Sequence, residues 1–168
     1  MTKQTKGPQP AAKTKQVKLE RTYSASLEDV WEMWTTKDGI ESWWGPGGFA
    51  VTVSKLELQA GGELLYAMTA VAPPQIEFMK KAGMPVSTEA RIRFVDVSPP
   101  HRLEYLHRVD FVPGVEPYDT ATLVELEQTA DGVRLTLTID AMHDEEWTQR
   151  AVMGWESELG KLAQALAR

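Results

Sequence analysis

The sequence contains no cysteine among its 168 residues. Disulfide bonds and thiolate catalysis are therefore excluded, together with any zinc site built on sulfur ligands. The chain has three histidines, and none of their spacings matches a metal-binding motif. The sequence thus predicts no metal ion and no cofactor, and the lack of cysteine favours the cytoplasm as the compartment.

Long apolar runs are also absent, although 42% of the residues are hydrophobic. No run approaches the roughly 20 apolar residues that a helix needs to cross a bilayer, so no membrane span is predicted. Residues 1–16 contain four lysines, no acidic residue and very little that is apolar. This composition is typical of a disordered segment and lacks the apolar centre of a secretion signal. We expect a disordered basic tail over residues 1–16 and a single domain over residues 17–168.

Positive charge is scarce after that tail. The remaining 14 basic residues face 24 acidic ones, which gives a net charge of about −10. Because phosphate binding requires a basic surface, nucleic acid is excluded as a partner. An acidic surface remains compatible with binding to another protein.

Seven segments have the pattern of strands. Most of them alternate between apolar and polar residues, which is typical of strands with one buried face, and the third is apolar on both faces. The second of them changes phase after Val53, and this change indicates a β-bulge. The predicted strands cover residues 17–23, 49–58, 64–71, 89–94, 103–111, 120–127 and 133–139.

Helical spacing replaces the alternation in two places. Between the first two strands, Ser26 with Asp29, and then Asp38 with Glu41, mark the starts of two short helices. At the end of the chain, an apolar stripe over residues 147–166 predicts one long amphipathic helix. The order β-α-α-β6-α predicts an α+β fold in which a curved, seven-stranded antiparallel sheet wraps around the C-terminal helix.

Four segments resemble one known family. They are W-W-G-P at 43–46, V-D-V-S-P-P-H-R-L at 95–103, L-E-Q-T-A-D-G-V-R-L-T-L-T at 126–138 and G-W-E-S-E-L-G-K-L at 154–162. Together they are similar to the activator-of-heat-shock-protein-90-ATPase-like branch of the START and birch-pollen-allergen superfamily, from about Val17 to Leu166. The resemblance implies a helix-grip fold, in which the sheet and the two small helices hold the long helix and enclose an apolar cavity.

The sequence departs from that family in two respects. The eukaryotic activators have a separate N-terminal domain that contributes to chaperone binding, and here only the lysine-containing tail precedes the first strand. In addition, the segment 72–86 separates two strands that the family usually joins more tightly. Pro74 suits the first turn of a helix and Gly83 suits its end. This inserted helix is either a lid over the cavity or an ordinary surface helix.

Two adjacent tryptophans, Trp43 and Trp44, stand just before a Gly-Pro-Gly-Gly stop. Neighbouring residues of a helix point about 100° apart, so the two rings cannot form one flat stacking surface. One ring is expected to fix the second short helix against the core, and the other to reach the cavity. The sequence leaves open which ring does which.

The implied cavity should be lined by inward-facing aromatic side chains and by methionines, which adapt to irregular apolar space. The predicted ligand-binding residues are Trp44, Phe49, Tyr66, Met68, Met79, Phe94, Tyr105, His107, Phe111, Trp147 and Met153. No catalytic residue is predicted, because His107 is explained more simply as a core histidine. Arg21 falls in the apolar phase of the first strand, so we expect it to form an internal ion pair with an acid such as Glu104, Asp119 or Glu125. The alternative is that it faces an anionic group of a ligand.

Three functions remain open on these grounds. The first is non-catalytic binding of a small hydrophobic or lipid-like molecule, as a carrier or sensor. The second is a co-chaperone-like regulator that binds a chaperone or another ATPase. The third is catalysis like that of the aromatase and cyclase members of the superfamily, which would involve Tyr105, His107 and Arg21.

Overall fold

The computed structural model describes residues 15–110 and 112–167. Within them the elements are β1 (Gln16–Tyr23), α1 (Leu27–Thr35), α2 (Lys37–Trp43), β2 (Phe49–Leu56), β3 (Glu63–Ala70), α3 (Pro73–Lys81), β4 (Ser87–Ser98), β5 (Arg102–Val109), β6 (Tyr118–Thr129), β7 (Gly132–Asp140) and α4 (Glu145–Leu166). The predicted α+β fold is confirmed, with α3 as the inserted helix. The tail predicted over residues 1–16 lies outside the described residues up to position 14, and Gln16 already belongs to β1.

The seven strands form one antiparallel sheet in the order β1-β7-β6-β5-β4-β3-β2. Strands β2 to β7 follow one another as a meander, and β1 pairs with β7 at the far edge. The predicted phase change is confirmed as a register shift between Val53 and Lys55. A second shift lies between Phe94 and Asp96. Such irregularities bend and twist a sheet, which suits one that wraps around a helix.

Short polar side chains start the two small helices. The Ser26 hydroxyl accepts a hydrogen bond from the Asp29 backbone N–H at 3.1 Å, as predicted. The predicted start of α2 at Asp38 is wrong, because Thr36 accepts from the Gly39 N–H at 2.9 Å instead. Thr36 has extended backbone, and its hydroxyl reaches the Gly39 N–H, which has no partner within the helix. Asp38 lies inside the first turn, where its negative charge interacts favourably with the helix dipole.

The core joins the inner face of the sheet to α1, α2 and α4, and one corner of it lies where the two small helices pack against α4. A Cβ at Gly39 would stand 2.3 Å from the Glu32 carbonyl oxygen, so only glycine lets the two small helices approach this closely. The fully buried side chains at this place are Val30, Trp34, Ile40, Trp43, Leu159 and Leu162. Each contributes about 1.5–3 kcal/mol of burial energy, so this corner holds α4 firmly.

The inserted helix α3 begins with prolines at its first positions and ends before Gly83, whose φ is +71°. Met79 is its one buried residue, and the helix packs against β3. None of the helices in the described segments combines the length and the apolar character that a bilayer crossing requires.

Candidate functional site

A cavity of about 300 Å³ lies between α4 and the inner face of the sheet. Strands β3 to β7 supply one wall, α4 supplies the opposite wall, and the turn after α2 closes one end. The strand residues that line it alternate along β3, β5 and β6, as Tyr66 and Met68 do on β3 and Tyr105 and His107 on β5. Alternation places one set of side chains on the inner face, which is why the strand pattern predicts this wall well.

The helical wall follows one stripe of α4. It includes Trp147, Ala151, Gly154 and Glu158, at intervals of three or four residues, together with Trp155 next to Gly154. At 1.5 Å per residue, the stripe from the first to the last of these extends about 16 Å. Two of the five have little or no side chain, so the helix leaves open space there instead of filling it.

Aromatic rings concentrate at one end of the cavity. The Trp44 ring lies 5.4 Å from the Tyr66 ring at nearly a right angle, and 6.1 Å from the Tyr105 ring. Trp155 stacks on Trp34 of the core at 5.8 Å, with 24° between the ring planes. We call Trp44, Tyr66, Tyr105 and Glu158 the inner end of the cavity.

The structure separates the roles of the tryptophan pair. Trp43 is fully buried in the core, and its Nε1 donates to the Met33 carbonyl at 2.8 Å. Trp44 lines the cavity, and its ring plane is turned 74° from that of Trp43. Trp44 already has extended backbone, because α2 ends before it. The expectation of one core ring and one cavity ring therefore agrees with the geometry.

Glu158 and Lys161, one turn apart on α4, hold the turn that follows Trp44. The Gly45 N–H donates to Glu158 Oε1 at 3.4 Å, and Lys161 Nζ donates to the Gly45 carbonyl at 2.8 Å. Gly45 has φ +89°, and a Cβ there would lie 3.1 Å from Val51. Glycine is thus required for the chain to turn here and present both of its backbone groups to α4.

Burial raises the pKa of Glu158 from its usual value of 4.5 to about 7. The hydrogen bond from Gly45 and the charge of Lys161 act in the opposite direction and lower this pKa. The carboxyl therefore changes its charge near neutral pH. Sequence analysis missed it, although it lies in the motif at 154–162. The available signal was a carboxylate at helical spacing from Trp147, Gly154 and Trp155, on an otherwise apolar stripe.

Burial also determines the state of the other titratable groups of the cavity. It lowers the pKa of His107, against a small raising effect of Asp110, so the imidazole is neutral at pH 7. It raises the pKa values of Tyr66 and Tyr105, which keep their phenol protons. Among the described residues, the His107 side chain has no hydrogen-bond partner.

The opposite end of the cavity is more exposed. Asp140, Met142, Trp147 and Arg150 lie there, and we call them the outer end. The Arg150 guanidinium lies 4.9 Å from the centre of the Trp147 ring and pairs with Glu146 at 2.8 Å. Asp140 accepts a hydrogen bond from the Ala121 N–H at 2.9 Å. The charges of the outer end are thus already engaged.

Six of the predicted ligand-binding residues line this cavity: Trp44, Tyr66, Met68, Tyr105, His107 and Trp147. Four others do not. Phe94 is buried in the core beside Tyr105, and Met153 is 67% exposed, because it points away from the stripe of α4. Phe49 is half-buried at the start of β2, and Met79 is the buried residue of α3, outside the cavity. Phe111 lies outside the described residues.

The inserted helix contributes no residue to the cavity wall, which favours its interpretation as a surface helix. Within residues 15–110 and 112–167, no group of three or more acidic or histidine side chains is arranged to hold a metal ion. The expected ion pair of Arg21 is wrong. Its guanidinium donates to the neighbouring Glu20 carbonyl at 2.9 Å, since an edge strand leaves this position partly open to solvent.

Comparisons with solved structures show the fold. A protein from Chromobacterium violaceum is 22% identical, with a TM-score of 0.75 over 91% of this chain and 97% of its own. An AHSA1-like protein from Aeromonas hydrophila is 22% identical, with a TM-score of 0.68 over 89% and 90%. The AHSA1 protein from Silicibacter pomeroyi is 21% identical, with a TM-score of 0.69 over 91% and 98%. At these identities the likeness establishes the fold alone.

No curated protein matches the sequence. The family model described as "Activator of Hsp90 ATPase homolog 1-like protein" matches residues 24–167. That match covers every element from α1 to α4, including the Gly45 turn and the whole cavity wall. The chain belongs to the Activator of Hsp90 ATPase homolog 1-like family.

Proposed function

We propose that this protein binds a small, largely apolar molecule in the cavity, as a non-catalytic carrier or sensor in the cytoplasm. The observation that carries the proposal is the cavity itself, about 300 Å³ in volume, with an aromatic inner end and a more exposed outer end. Ligand sites are typically concave, mostly apolar and supplied with a few polar groups, and their volumes start near 300 Å³.

The energetics favour an occupant. At about 24 cal/mol per Å³, an empty cavity of this volume would cost roughly 7 kcal/mol. The whole stability of a domain is about 5–15 kcal/mol. A molecule that fills the space recovers part of that loss, so binding is expected to stabilise the fold.

The volume also limits the size of the ligand. A cavity of about 150 Å³ in another protein holds one benzene molecule. Twice that volume fits a compound of about two fused rings, and it is too small for a long acyl chain. We therefore favour a compact aromatic or alicyclic ligand over a phospholipid.

The side chains of the cavity support binding more than catalysis. Nucleophilic and acid–base catalysis usually need a reactive group that is held by a second polar group. His107 has no such partner within the described parts of the chain. Tyr105 keeps its proton because burial raises its pKa. Both residues are better suited to lining the cavity.

The test is a binding measurement with a plugged cavity and a matched control. Gly154 lines the cavity, and a Cβ there would meet no atom within 4 Å, so Gly154→Leu projects into open space. Gly160 has equally free surroundings on the same helix, but it is exposed outside the cavity. Titration with N-phenyl-1-naphthylamine should increase its fluorescence with the wild type and with Gly160→Leu. Gly154→Leu should bind at least about tenfold more weakly.

Equal binding by both variants would place the probe elsewhere on the surface. If the wild type also fails to bind, and native mass spectrometry of the purified protein finds no small molecule, the carrier proposal is wrong.

A second candidate is a regulator that binds a chaperone or another ATPase. Its support is the family membership, together with a groove of about 340 Å³ between α1, α2 and the end of α4. Asp29, Glu32 and Asp38 make this groove acidic. A salt-sensitive complex with a purified chaperone ATPase, lost in a triple Asn/Gln variant of these three, would favour this function. No complex at low salt would remove it.

A further inference from the structure

The inner end of the cavity contains a carboxyl group that the apolar ligand of the proposed function does not explain. Glu158 accepts one long hydrogen bond, 3.4 Å from the Gly45 N–H. A carboxylate has about four acceptor positions. Glu158 forms no ion pair within the described residues, so most of its capacity is unused on the cavity side.

The nearest cation does not satisfy this group. Lys161 Nζ donates to the carbonyls of Gly45 at 2.8 Å and Trp44 at 3.4 Å, and its charge only partly offsets the burial of Glu158. Burial lowers the pKa of Lys161, which is a further sign that its ammonium is held away from water. The lysine therefore fixes the turn and leaves the cavity side of the carboxyl open.

The rings at the inner end also favour positive charge. Trp44, Tyr66 and Tyr105 line the same end of the cavity as Glu158. Burial raises the pKa values of both tyrosines, and the charge of Glu158 is near enough to raise them further. Aromatic rings attract a cation that lies over a ring face by about 0.5–2 kcal/mol. A carboxylate that shares a cavity end with three aromatic rings is a chemical complement to an organic ammonium group.

The other charged groups of the cavity do not supply a counter-charge to Glu158. Arg150 is engaged with Glu146 and the Trp147 ring at the outer end. Asp140 accepts from the Ala121 N–H, and His107 is neutral. Lys161 is the one cation near the inner end among the described residues, and its ammonium is bonded to backbone.

We propose that the ligand is an arylalkylamine or a similar compact amine, whose ring system fills the cavity and whose ammonium group pairs with Glu158. This inference rests on the proposed function and narrows its ligand class. The raised pKa of Glu158 agrees with it, because a carboxyl that lacks a buried counter-charge holds its proton to higher pH.

The experiment compares three probes of one shape by calorimetry at pH 8: 1-naphthylmethylamine, 1-naphthalenemethanol and 1-naphthoate. We expect the amine to bind at least about tenfold more tightly than the alcohol, and the acid to bind most weakly. Between pH 8 and pH 6 the affinity of the amine should fall about tenfold, because Glu158 takes up a proton. The affinity of the alcohol should change little over the same range.

Glu158→Gln should remove the preference for the amine, with a loss of about tenfold, and leave the alcohol within about threefold. Glu156→Gln is the matched control, since it makes the same charge change at an exposed position two residues away. It should preserve the preference. If the alcohol loses as much affinity as the amine in Glu158→Gln, the substitution has disturbed the cavity as a whole. The change of the amine's affinity with pH in the wild type then decides whether Glu158 pairs with the ammonium group.

These measurements distinguish failure of the amine inference from failure of the proposed function. If the amine and the alcohol bind the wild type equally, or if the amine shows no pH dependence, the amine inference is overturned while the carrier proposal stands. If none of the three probes binds and N-phenyl-1-naphthylamine also fails, the proposed function is overturned as well.

Discussion

The two halves of α4 lie against the same sheet, but the second half is packed in the core and the first half borders the cavity. In the second half, Leu159 and Leu162 are completely buried and Ala165 nearly so. In the first half, Ala151, Gly154 and Trp155 border open space. The difference comes from what lies opposite. The small helices α1 and α2 pack against α4 and fill the concave side under its second half, whereas none of the elements described over residues 15–110 and 112–167 fills it under the first.

The boundary between the halves is polar. The Tyr23 hydroxyl donates to the Leu159 carbonyl at 3.1 Å, and the bonds of Glu158 and Lys161 to Gly45 lie within one turn of it. Backbone and side-chain hydrogen bonds thus fix α4 where packing gives way to cavity. One amphipathic stripe can thus serve as core along one half and as cavity wall along the other, depending on the elements that face it.

The largest expected effect tests the packed half. Leu162→Ala should lower the free energy of unfolding by about 2–5 kcal/mol, because it removes a fully buried side chain from a close-packed corner. Met153→Ala, on the exposed side of the same helix, should change it by less than about 0.5 kcal/mol. Urea unfolding followed by tryptophan fluorescence measures both. A loss below about 1 kcal/mol for Leu162→Ala would show that the second half is not tightly packed.

The next effect concerns the boundary and depends on pH. The folded-state pKa of Glu158, about 7, lies above its usual value of 4.5, so the folded protein binds the proton more tightly than the unfolded chain does. Stability from this group is complete below pH 4.5 and is lost as the pH rises to 7. Relative to the wild type, Glu158→Gln should therefore gain up to about 3 kcal/mol between pH 4.5 and pH 8. Urea unfolding at both pH values measures the gain, and a gain that is independent of pH contradicts the assignment.

The smallest effect tests the open half. Gly154→Ala should raise the free energy of unfolding by about 0.5–1 kcal/mol, since alanine favours helix and its Cβ meets no atom within 4 Å. Gly160→Ala should give the same gain by the same mechanism outside the cavity. The pair separates helix propensity from cavity filling. A much larger gain at Gly154 would mean that the cavity collapses around the new methyl group.

Much of the fold could be predicted from the sequence because two regular signals carry it. The alternation along the strands and the stripe of α4 both reflect burial on one face, and the bulge after Val53 appeared as a change of phase. The first residues of the helices were predicted less accurately than the strands. Both Thr36 and Asp38 can cap a helix, and only the backbone geometry selects Thr36.

The site was predicted well on its strand side and only in part on its helix side, where Trp147 lines the cavity, Met153 does not and Glu158 was missed. Tyr66, Met68, Tyr105 and His107 share one strand face, so their phase was sufficient. On α4, a stripe that fills a core and a stripe that borders a cavity have the same period. Glu158 was not recognised, because its burial depends on α2 ending where Gly45 can meet it.

The double attachment of Gly45 gives this corner of the molecule redundancy. Glu158 accepts a hydrogen bond from the Gly45 N–H and Lys161 donates one to the Gly45 carbonyl, so the two hydrogen bonds come from different side chains of α4. If one of these hydrogen bonds is lost, we expect the other to keep the Trp44 ring in place. A change of charge at position 158 would therefore leave the shape of the cavity intact, and under the proposed function it would alter which ligands bind.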